Sequence, residues 1–266
     1  MRRLVDLYNE PTKVNPYWIG GGLLPQEGIM IFGGETGIGK TMLMLNMARD
    51  LTTPGSMLWG IDGYDIPKPA TVLYVDQESG EHVLGKRVKV MFAKDPPNDL
   101  IWYSSREPMR IDSLMDQRKL ERMIDETGAQ VVLLDPASNF IEGSENSNDD
   151  VDKLFHVLYD IRARRPGLSF VLAHHFGKPP KSYNDKEAHE PHGLYNFRGA
   201  AKWVDSPDTV ITLTKGSPKL GEILRIKAAI KKVRDAETPE GIISLGVDTE
   251  YRVFKTKTKD FGEYNG

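Results

Sequence analysis

A glycine-rich segment near the start of the chain combines the residue types that bind a triphosphate. Residues 34–41 read GETGIGKT and match the pattern G-x-x-x-x-G-K-T/S of phosphate-binding loops. Glycines allow backbone N–H groups to turn toward phosphate oxygens, because no Cβ stands in the way. Lys40 can reach the β and γ phosphates, and the hydroxyl of Thr41 can bind Mg²⁺. The predicted nucleotide contacts are Gly34, Glu35, Thr36, Gly37, Ile38, Gly39, Lys40, Thr41 and Met42.

The segments on either side of this loop have the patterns of a strand and a helix. Residues 29–32 form a short apolar run, and residues 42–51 have helical spacing. A strand–loop–helix order places the phosphates at a helix N-terminus, where backbone N–H groups and the helix dipole favour an anion. The alternative is a glycine-rich turn that matches the pattern by accident, and these flanks make that coincidence rarer.

Carboxylates follow two further apolar runs. Asp135 ends the run at 131–134, and an aspartate at the C-terminal end of a buried strand faces the ligand crevice of an open parallel sheet. We predict that Asp135 holds Mg²⁺ through water, with a turn-capping aspartate as the alternative. Glu78 follows the run at 71–75 and is the predicted residue that orients the attacking water, with Asp76 as the second candidate. For Glu78 the alternative is a solvated cap of the next helix.

Two adjacent histidines end the apolar run at 168–173. A zinc site at His174 and His175 is disfavoured, because the chain has no cysteine and the other close pair, His189 and His192, lies in a polar segment. We predict a polar sensor that hydrogen-bonds the γ-phosphate and is linked to the loop beyond it. A plain structural histidine pair is the alternative.

Two long polar segments, 137–150 and 176–200, are predicted to be functional loops. The second mixes cations with aromatic residues, as in grooves that bind single-stranded nucleic acid. It also carries acidic residues, so a disordered surface loop is the alternative. The candidate nucleic-acid contacts are Lys178, Lys181, Arg198 and Lys202.

A basic run near the C-terminal end offers another candidate. Lys232 and Arg234 are two residues apart on an extended segment and therefore point the same way. They could reach the triphosphate of a neighbouring subunit, with Arg234 as an arginine finger. A solvated charge run is the alternative.

The elements that must position these residues alternate along the chain. Helices are predicted at 81–92, 114–126 and 151–165, and strands at 71–75, 100–103, 131–134 and 168–173. Such alternation predicts an α/β fold with a mostly parallel, twisted sheet flanked by helices. Later strands, including a C-terminal antiparallel hairpin, are predicted at 209–213, 222–230 and 241–254.

Length and composition suit one large domain. The chain has 266 residues, of which 39% are hydrophobic and 27% charged. We divide it into a leader (1–27), a core domain (28–255) and a polar tail (256–266) that is expected to be disordered. The formal net charge of −3 means that any nucleic-acid contact must come from a local basic patch.

The cysteine count and the hydropathy pattern restrict the cellular location that we expect for the protein. With no cysteine, a disulfide framework and cysteine-based zinc sites are excluded, which fits a reducing cytosol. No apolar run is long enough to span a bilayer, and the first residues lack the apolar core of a signal peptide. We expect a cytoplasmic protein.

Taken in order, these segments resemble the RecA-like P-loop ATPases, and within them the hexameric replicative helicases of the plasmid RepA type. The resemblance covers residues 18–254 and is carried by 23–41, 72–78, 131–136 with 145–148, 171–178 and 197–201. It implies ATP and Mg²⁺ as cofactors, single-stranded DNA as partner, and a homo-oligomeric ring, expected to be a hexamer, with active sites between subunits.

The resemblance also implies roles for single residues. The family's catalytic glutamate corresponds to Glu78, and its sensor to His175, or to His174 if the alignment slips by one. The Lys-x-Arg of related ring helicases resembles Lys232 to Arg234. In RepA-type proteins an arginine often follows the segment similar to 197–201, but residues 203–208 contain none. Arg234 is therefore preferred to Arg198 as the finger.

The prediction is a Mg-ATP-hydrolysing DNA motor, a ring-forming replicative helicase core that acts on single-stranded DNA. Its predicted catalytic residues are Glu78, Lys40, His175 and Arg234, with Thr41 and Asp135 at the metal. One alternative is a recombinase-like or mediator/loader ATPase that binds DNA without unwinding it. Another is a P-loop small-molecule kinase, which would need an arginine-rich lid.

Overall fold

The computed structural model describes residues 3–9, 16–105, 107–176, 200–234 and 236–256. The helices in these ranges are α1 (Leu4–Tyr8), α2 (Lys40–Thr52), α3 (Glu81–Met91), α4 (Leu114–Thr127), α5 (Asn148–Ala163) and α6 (Lys202–Asp205), with 3₁₀ helices at Leu58–Gly60 and Ala137–Phe140. The strands are β1 (Tyr17–Ile19), β2 (Leu24–Pro25), β3 (Ile29–Gly34), β4 (Val72–Asp76), β5 (Ile101–Ser105), β6 (Val131–Asp135), β7 (Ser169–His175), β8 (Thr209–Gly216), β9 (Glu222–Val233), β10 (Ile243–Asp248) and β11 (Val253–Lys255).

One sheet organises the described chain. Its strand order is β11-β10-β9-β8-β3-β7-β6-β4-β5, while β1 and β2 form a separate antiparallel pair. Neighbouring strands from β8 to β5 are parallel, and β9, β10 and β11 run antiparallel to their neighbours. The predicted α/β architecture, with a mostly parallel sheet and a C-terminal antiparallel hairpin, is confirmed. The strand β3, which leads into the glycine-rich loop, lies between β7 and β8.

Both faces of the sheet are covered, which explains why its strands are continuous apolar runs. Successive side chains of a strand point to opposite faces. In β3, Met30 and Phe32 pack with residues of α2 and α3, whereas Ile29 and Ile31 pack with residues of α4 and α5. A parallel sheet buried on both faces requires this pattern. The carboxyl ends of β3, β4, β6 and β7 therefore meet at one edge between the helix layers.

The segment 137–150, predicted as a loop, is helical at both of its ends. A 3₁₀ helix occupies Ala137–Phe140, and α5 begins at Asn148 rather than at residue 151. The earlier start has a local cause, because Ser147 Oγ accepts a hydrogen bond from the Asp150 backbone N–H at 3.3 Å. A serine cap of this kind satisfies an N–H that the helix leaves without a partner.

The segment before the core domain packs onto it. Four of its apolar residues are buried in the core: Trp18, Ile19, Leu23 and Leu24. Trp18 Nε1 donates to the carbonyl oxygen of Gly167 at 2.9 Å. The predicted loop between 176 and 200 falls on residues 177–199, and most of the predicted tail falls on 257–266, outside the described residues. Within the described ranges, every helix is too short or too polar to cross a bilayer.

Candidate active site

The glycine-rich loop connects β3 to α2 and requires glycine at two positions. Gly37 has φ 77° and Gly39 has φ 92°, both in the left-handed region that side chains with a Cβ rarely adopt. A Cβ at Gly39 would also lie 2.6 Å from Cδ2 of Leu224. Helix α2 starts directly after this turn, at Lys40. The loop therefore presents a helix N-terminus toward the cleft, which is the geometry that favours an anion.

Lys40 is held by the backbone of the loop itself. Its Nζ donates to the carbonyl oxygens of Gly34 and Glu35, at 2.8 and 2.9 Å, and the residue is buried. Burial lowers the pKa of Lys40 to about 8, against the opposing effect of the carboxylates of Asp135, Glu78 and Glu35. A poorly solvated ammonium group is strongly stabilised by a nearby phosphate anion, so Lys40 is suited to bind a phosphate.

Two oxygen-bearing side chains meet at the start of α2. The hydroxyl of Thr41 donates to Oδ2 of Asp135 at 3.0 Å, which joins α2 to the end of β6. Burial raises the pKa of Asp135 to about 6, although hydrogen bonds from Tyr74 and Thr41 oppose that rise. Hydroxyl and carboxylate oxygens suit Mg²⁺, which is usually held by one or two protein ligands with phosphates and water.

The chemistry of this pair fits a cation that is bound together with a nucleotide. Among the described residues, no group of three or more His, Asp and Glu side chains is placed to hold a metal. Mg²⁺ bound beside Thr41 and Asp135 would take its other ligands from phosphate and water oxygens, as it usually does in proteins. Thr41, Asp135 and the loop thus fit a magnesium–triphosphate complex.

Tyr74 is a site residue that the sequence did not indicate. Its hydroxyl donates to Oδ2 of Asp135 at 2.8 Å, and its side chain is buried. Burial, followed by the nearby charges of Asp135 and Asp76, raises the pKa of Tyr74 well above its ordinary value. In the sequence, position 74 is one member of an apolar run, so only the pairing of β4 with β6 identifies its partner.

Asp76 and Glu78, the two candidates for the base, have different surroundings. Asp76 is buried, and its Oδ1 accepts hydrogen bonds from the backbone N–H groups of Glu78 and Ser79, each at 2.8 Å. Its carboxylate thus holds the turn after β4. The side chain of Glu78 is 52% exposed and lines the cleft beside the loop. Glu78 therefore lines the cleft beside the loop, whereas Asp76 is buried beneath the turn.

The adjacent histidines at the end of β7 lie in different environments. Nδ1 of His175 is 3.5 Å from Oγ1 of Thr36, and Nε2 is 3.7 Å from Oε2 of Glu78. His174 is fully buried, and its ring stacks on Trp203 with 4.2 Å between centroids. Because alternate side chains of a strand point to opposite faces, only one of the pair can reach the cleft. That residue is His175.

The cleft at the loop has a volume of about 450 Å³ and collects most of these residues. Its wall also includes Ser79, Val83 and Arg87 from α3 and the turn before it, none of which the sequence singled out. A second cleft, of about 420 Å³, shares Glu78 and His175 with the first. It extends to Glu145 in the segment after the 3₁₀ helix, so the two clefts meet at the Glu78–His175 pair.

Other predicted residues lie away from this cleft or outside the described ranges. Arg234 follows β9 at the end of the sheet opposite the loop, and its Nη1 is 2.8 Å from Oδ1 of Asp208. Lys232 Nζ donates to the carbonyl oxygen of Asp205 at 2.7 Å. Lys202 Nζ is 2.8 Å from Oδ1 of Asp152. The candidates outside the described residues are Lys178, Lys181 and Arg198.

Comparisons with known proteins agree with this geometry. The profile of the family described as "AAA domain" matches residues 3–181. The fold is similar to the crystal structure of a KaiC-like protein from the hyperthermophilic archaeon Pyrococcus horikoshii OT3, with a TM-score of 0.58 and 14% sequence identity. That alignment covers 90% of this chain and 94% of the other. No curated protein matches the sequence significantly.

Proposed function

The chain belongs to the AAA domain family, and from this premise we propose that it is a Mg-ATP-hydrolysing motor on single-stranded DNA, of the ring-forming replicative helicase type. Its RecA-like P-loop fold is the one predicted from the sequence. The observation that carries the proposal is the convergence of Lys40, Thr41 with Asp135, and Glu78 with His175 on one cleft. This set provides a cation that binds phosphate, ligands for the metal, a base and a polar sensor.

Each of these side chains has a role in hydrolysis. Lys40 binds the β and γ phosphates as a cation, and Thr41 and Asp135 hold Mg²⁺, which neutralises phosphate charge when bound. Glu78 orients the attacking water and accepts its proton. His175 hydrogen-bonds the γ-phosphate region from the end of β7. All of these contacts act on charge and position, which is where phosphoryl transfer is accelerated.

The motor part of the proposal is supported by how the chain enters and leaves the segment 177–199. On the entry side, Phe176 N donates to the carbonyl oxygen of Gly34 at 3.1 Å, directly after His175. On the exit side, Ala200 N donates to the carbonyl oxygen of Glu145 at 3.3 Å. The entry flank of the predicted DNA loop is thus bound to the glycine-rich loop, and the exit flank is bound to a residue of the second cleft, which shares Glu78 and His175 with the first. A change at the γ-phosphate would reach that loop through these contacts.

Two parts of the proposal, the single-stranded DNA partner and the ring, are supported by the sequence. The order of motifs resembles that of RepA-type helicases, and the segment 176–200 mixes cations with aromatic residues. A RecA-fold subunit with head-to-tail contacts gives closed rings or open filaments, because the same interface repeats. Arg234 lies at the end of the sheet away from its own loop, and it is the residue that we propose to contact a neighbouring subunit's site.

The test combines three measurements on the purified chain. We expect ATP hydrolysis that single-stranded DNA stimulates, strand separation on a forked duplex, and a ring-sized particle in sedimentation with ATP and DNA. Lys40→Ala is the negative control, because it removes the ammonium group that binds the phosphates. Stimulated hydrolysis without strand separation would instead support a mediator or loader. Phosphate transfer to a small acceptor, with no effect of DNA, would contradict the motor and support a kinase.

A further inference from the structure

We propose that Tyr74 is a positioning residue of the nucleotide site, which holds the carboxylate of Asp135 in the orientation that faces Thr41 and bound Mg²⁺. The inference rests on the proposed function, because it assumes that a magnesium–nucleotide complex binds beside Thr41. It assigns a role to a side chain that does not touch the nucleotide itself.

The hydrogen bonds around Asp135 carry the proposal. One carboxylate oxygen, Oδ2, accepts from two donors: Thr41 Oγ1 at 3.0 Å and Tyr74 OH at 2.8 Å. These donors come from different elements, α2 and β4, so the carboxylate is held from two directions. A ligand whose rotamer is locked by a hydrogen bond loses less freedom when it binds a metal, and such partners control metal affinity.

The hydroxyl of Tyr74 is itself held in place by packing. The ring lies on the face of β4 that α2 and α3 cover, in one apolar cluster with Leu45 and Leu84. The Tyr103 ring on the neighbouring strand lies 5.9 Å from it, centroid to centroid, at an angle of 48°. Side chains packed in this way stay in one rotamer. The phenol therefore presents its donor to Asp135 at a fixed position.

A neighbouring carboxylate explains why the donor is needed. Asp76 is paired with Asp135 in the register of β4 and β6, and both residues are buried. Two carboxylates close together in a poorly solvated place repel each other. Oδ1 of Asp76 is occupied by the backbone of the following turn. Tyr74 provides the compensating donor on the Asp135 side and keeps that carboxylate aimed at Thr41.

The experiment measures the binding of a fluorescent, non-hydrolysable ATP analogue as a function of Mg²⁺ concentration. Mg²⁺ enhances analogue binding, and Tyr74→Phe should raise the Mg²⁺ concentration that gives half of this enhancement by about tenfold. This is the lower end of the range of about 10- to 100-fold that is typical when a residue that orients a metal ligand is lost. Analogue affinity in EDTA should stay at the wild-type value. Tyr103→Phe, which leaves the hydrogen bonds of Asp135 in place, should match the wild type throughout.

Two further measurements separate positioning from a structural role. A purely structural tyrosine would weaken analogue binding equally with and without Mg²⁺, and that result would overturn the proposal. In the Asp135→Asn background, Tyr74→Phe should add no further Mg²⁺ shift, because its effect passes through that carboxylate. An equal shift in both backgrounds would also overturn it.

A folding defect in Tyr74→Phe would not block the test. 4-Methylphenylalanine at position 74 fills the space of the hydroxyl without donating, and it should reproduce the Mg²⁺ shift. A wild-type Mg²⁺ response with that residue would refute the positioning role. A wild-type protein whose analogue binding ignores Mg²⁺ would contradict the proposed function instead, so the two failures are distinguishable.

Discussion

The imidazole of His175 lies beside the carboxylate of Glu78, with 3.7 Å between Nε2 and Oε2. His175 is the last residue of β7 and Glu78 follows β4, and these strands are separated in the sheet by β6. The other ring nitrogen of His175 is 3.5 Å from Oγ1 of Thr36 in the glycine-rich loop. The histidine thus joins the loop, the candidate base and the start of the segment predicted to contact DNA.

Glu78→Gln should stop hydrolysis and keep nucleotide binding. The amide preserves shape but cannot accept the proton of water, so kcat should fall by about 10²- to 10⁴-fold with little change in KM. Steady-state kinetics and analogue binding would measure both effects. Glu126→Gln, an exposed glutamate of α4, is the matched control and should behave as wild type. If Asp76→Asn alone gave this pattern, Asp76 would be the base.

Nucleotide affinity should decrease above about pH 8. Burial lowers the pKa of Lys40 to about 8 in the nucleotide-free protein, and a bound triphosphate stabilises the ammonium form. Affinity is therefore fully present below that pKa and is lost as pH rises through it, by up to about tenfold per pH unit. Titrations of an ATP analogue between pH 7 and 9.5 would measure the slope. Lys40→Ala should bind the analogue weakly, and its affinity should not depend on pH in this range. If the pH dependence of affinity were unchanged in this variant, another group would be responsible for it.

Asp135→Asn should raise the Mg²⁺ requirement of ATP hydrolysis. The amide loses the negative charge that faces Thr41, and loss of a carboxylate near the ion costs about 10- to 100-fold in metal affinity. The measurement is the ATPase rate against Mg²⁺ at constant free ATP. Asp116→Asn, in the first turn of α4, is a suitable control. An unaltered Mg²⁺ titration would leave Asp135 as a structural residue of the turn.

Loop variants should separate DNA binding from basal hydrolysis. Lys178→Ala and Arg198→Ala should each weaken binding to single-stranded DNA and lower the slope of log affinity against log salt by about 0.7 for each phosphate that the variant no longer neutralises. Lys202→Ala should have a smaller effect, because its ammonium group is paired with Asp152. Fluorescence anisotropy at several salt concentrations would test this. Equal loss of DNA binding and DNA-free ATPase would indicate a structural role for the loop.

The fifth prediction concerns catalysis shared between subunits. If Arg234 acts on a neighbour's site, Arg234→Ala should lower kcat by about 10³- to 10⁵-fold while ATP still binds. Mixing it with Glu78→Gln should restore part of the activity, since some interfaces then pair an intact Glu78 with an intact Arg234. Lys231→Ala is the control on the same strand.

Arg234→Ala also removes the ion pair with Asp208 within the same subunit. Thermal unfolding of Arg234→Ala would reveal any resulting loss of stability. Mixing with Glu78→Gln subunits cannot restore the stability of the Arg234→Ala subunit itself. A monomeric wild type, or no rescue where subunit exchange is demonstrated, would contradict the shared site.

The sequence by itself determined the features that depend on residues close together in the chain. The loop from Gly34 to Thr41 is contiguous, and its glycines, lysine and threonine need no distant partner to be recognised. The apolar runs of β3, β4, β6 and β7 predicted a parallel sheet, because burial on both faces leaves a continuous signal. The predicted helix at 114–126 is likewise a local pattern, and α4 ends at Gly128 in the left-handed conformation.

Only the tertiary structure decided which side chains share the cleft. That His175 and not His174 faces it, and that Tyr74 donates to Asp135, both depend on strand register. Register joins residues that are far apart in the chain, such as Tyr74 and Leu133 in β4 and β6. A shift of one residue would turn every side chain of a strand to the other face, so no local pattern specifies these contacts.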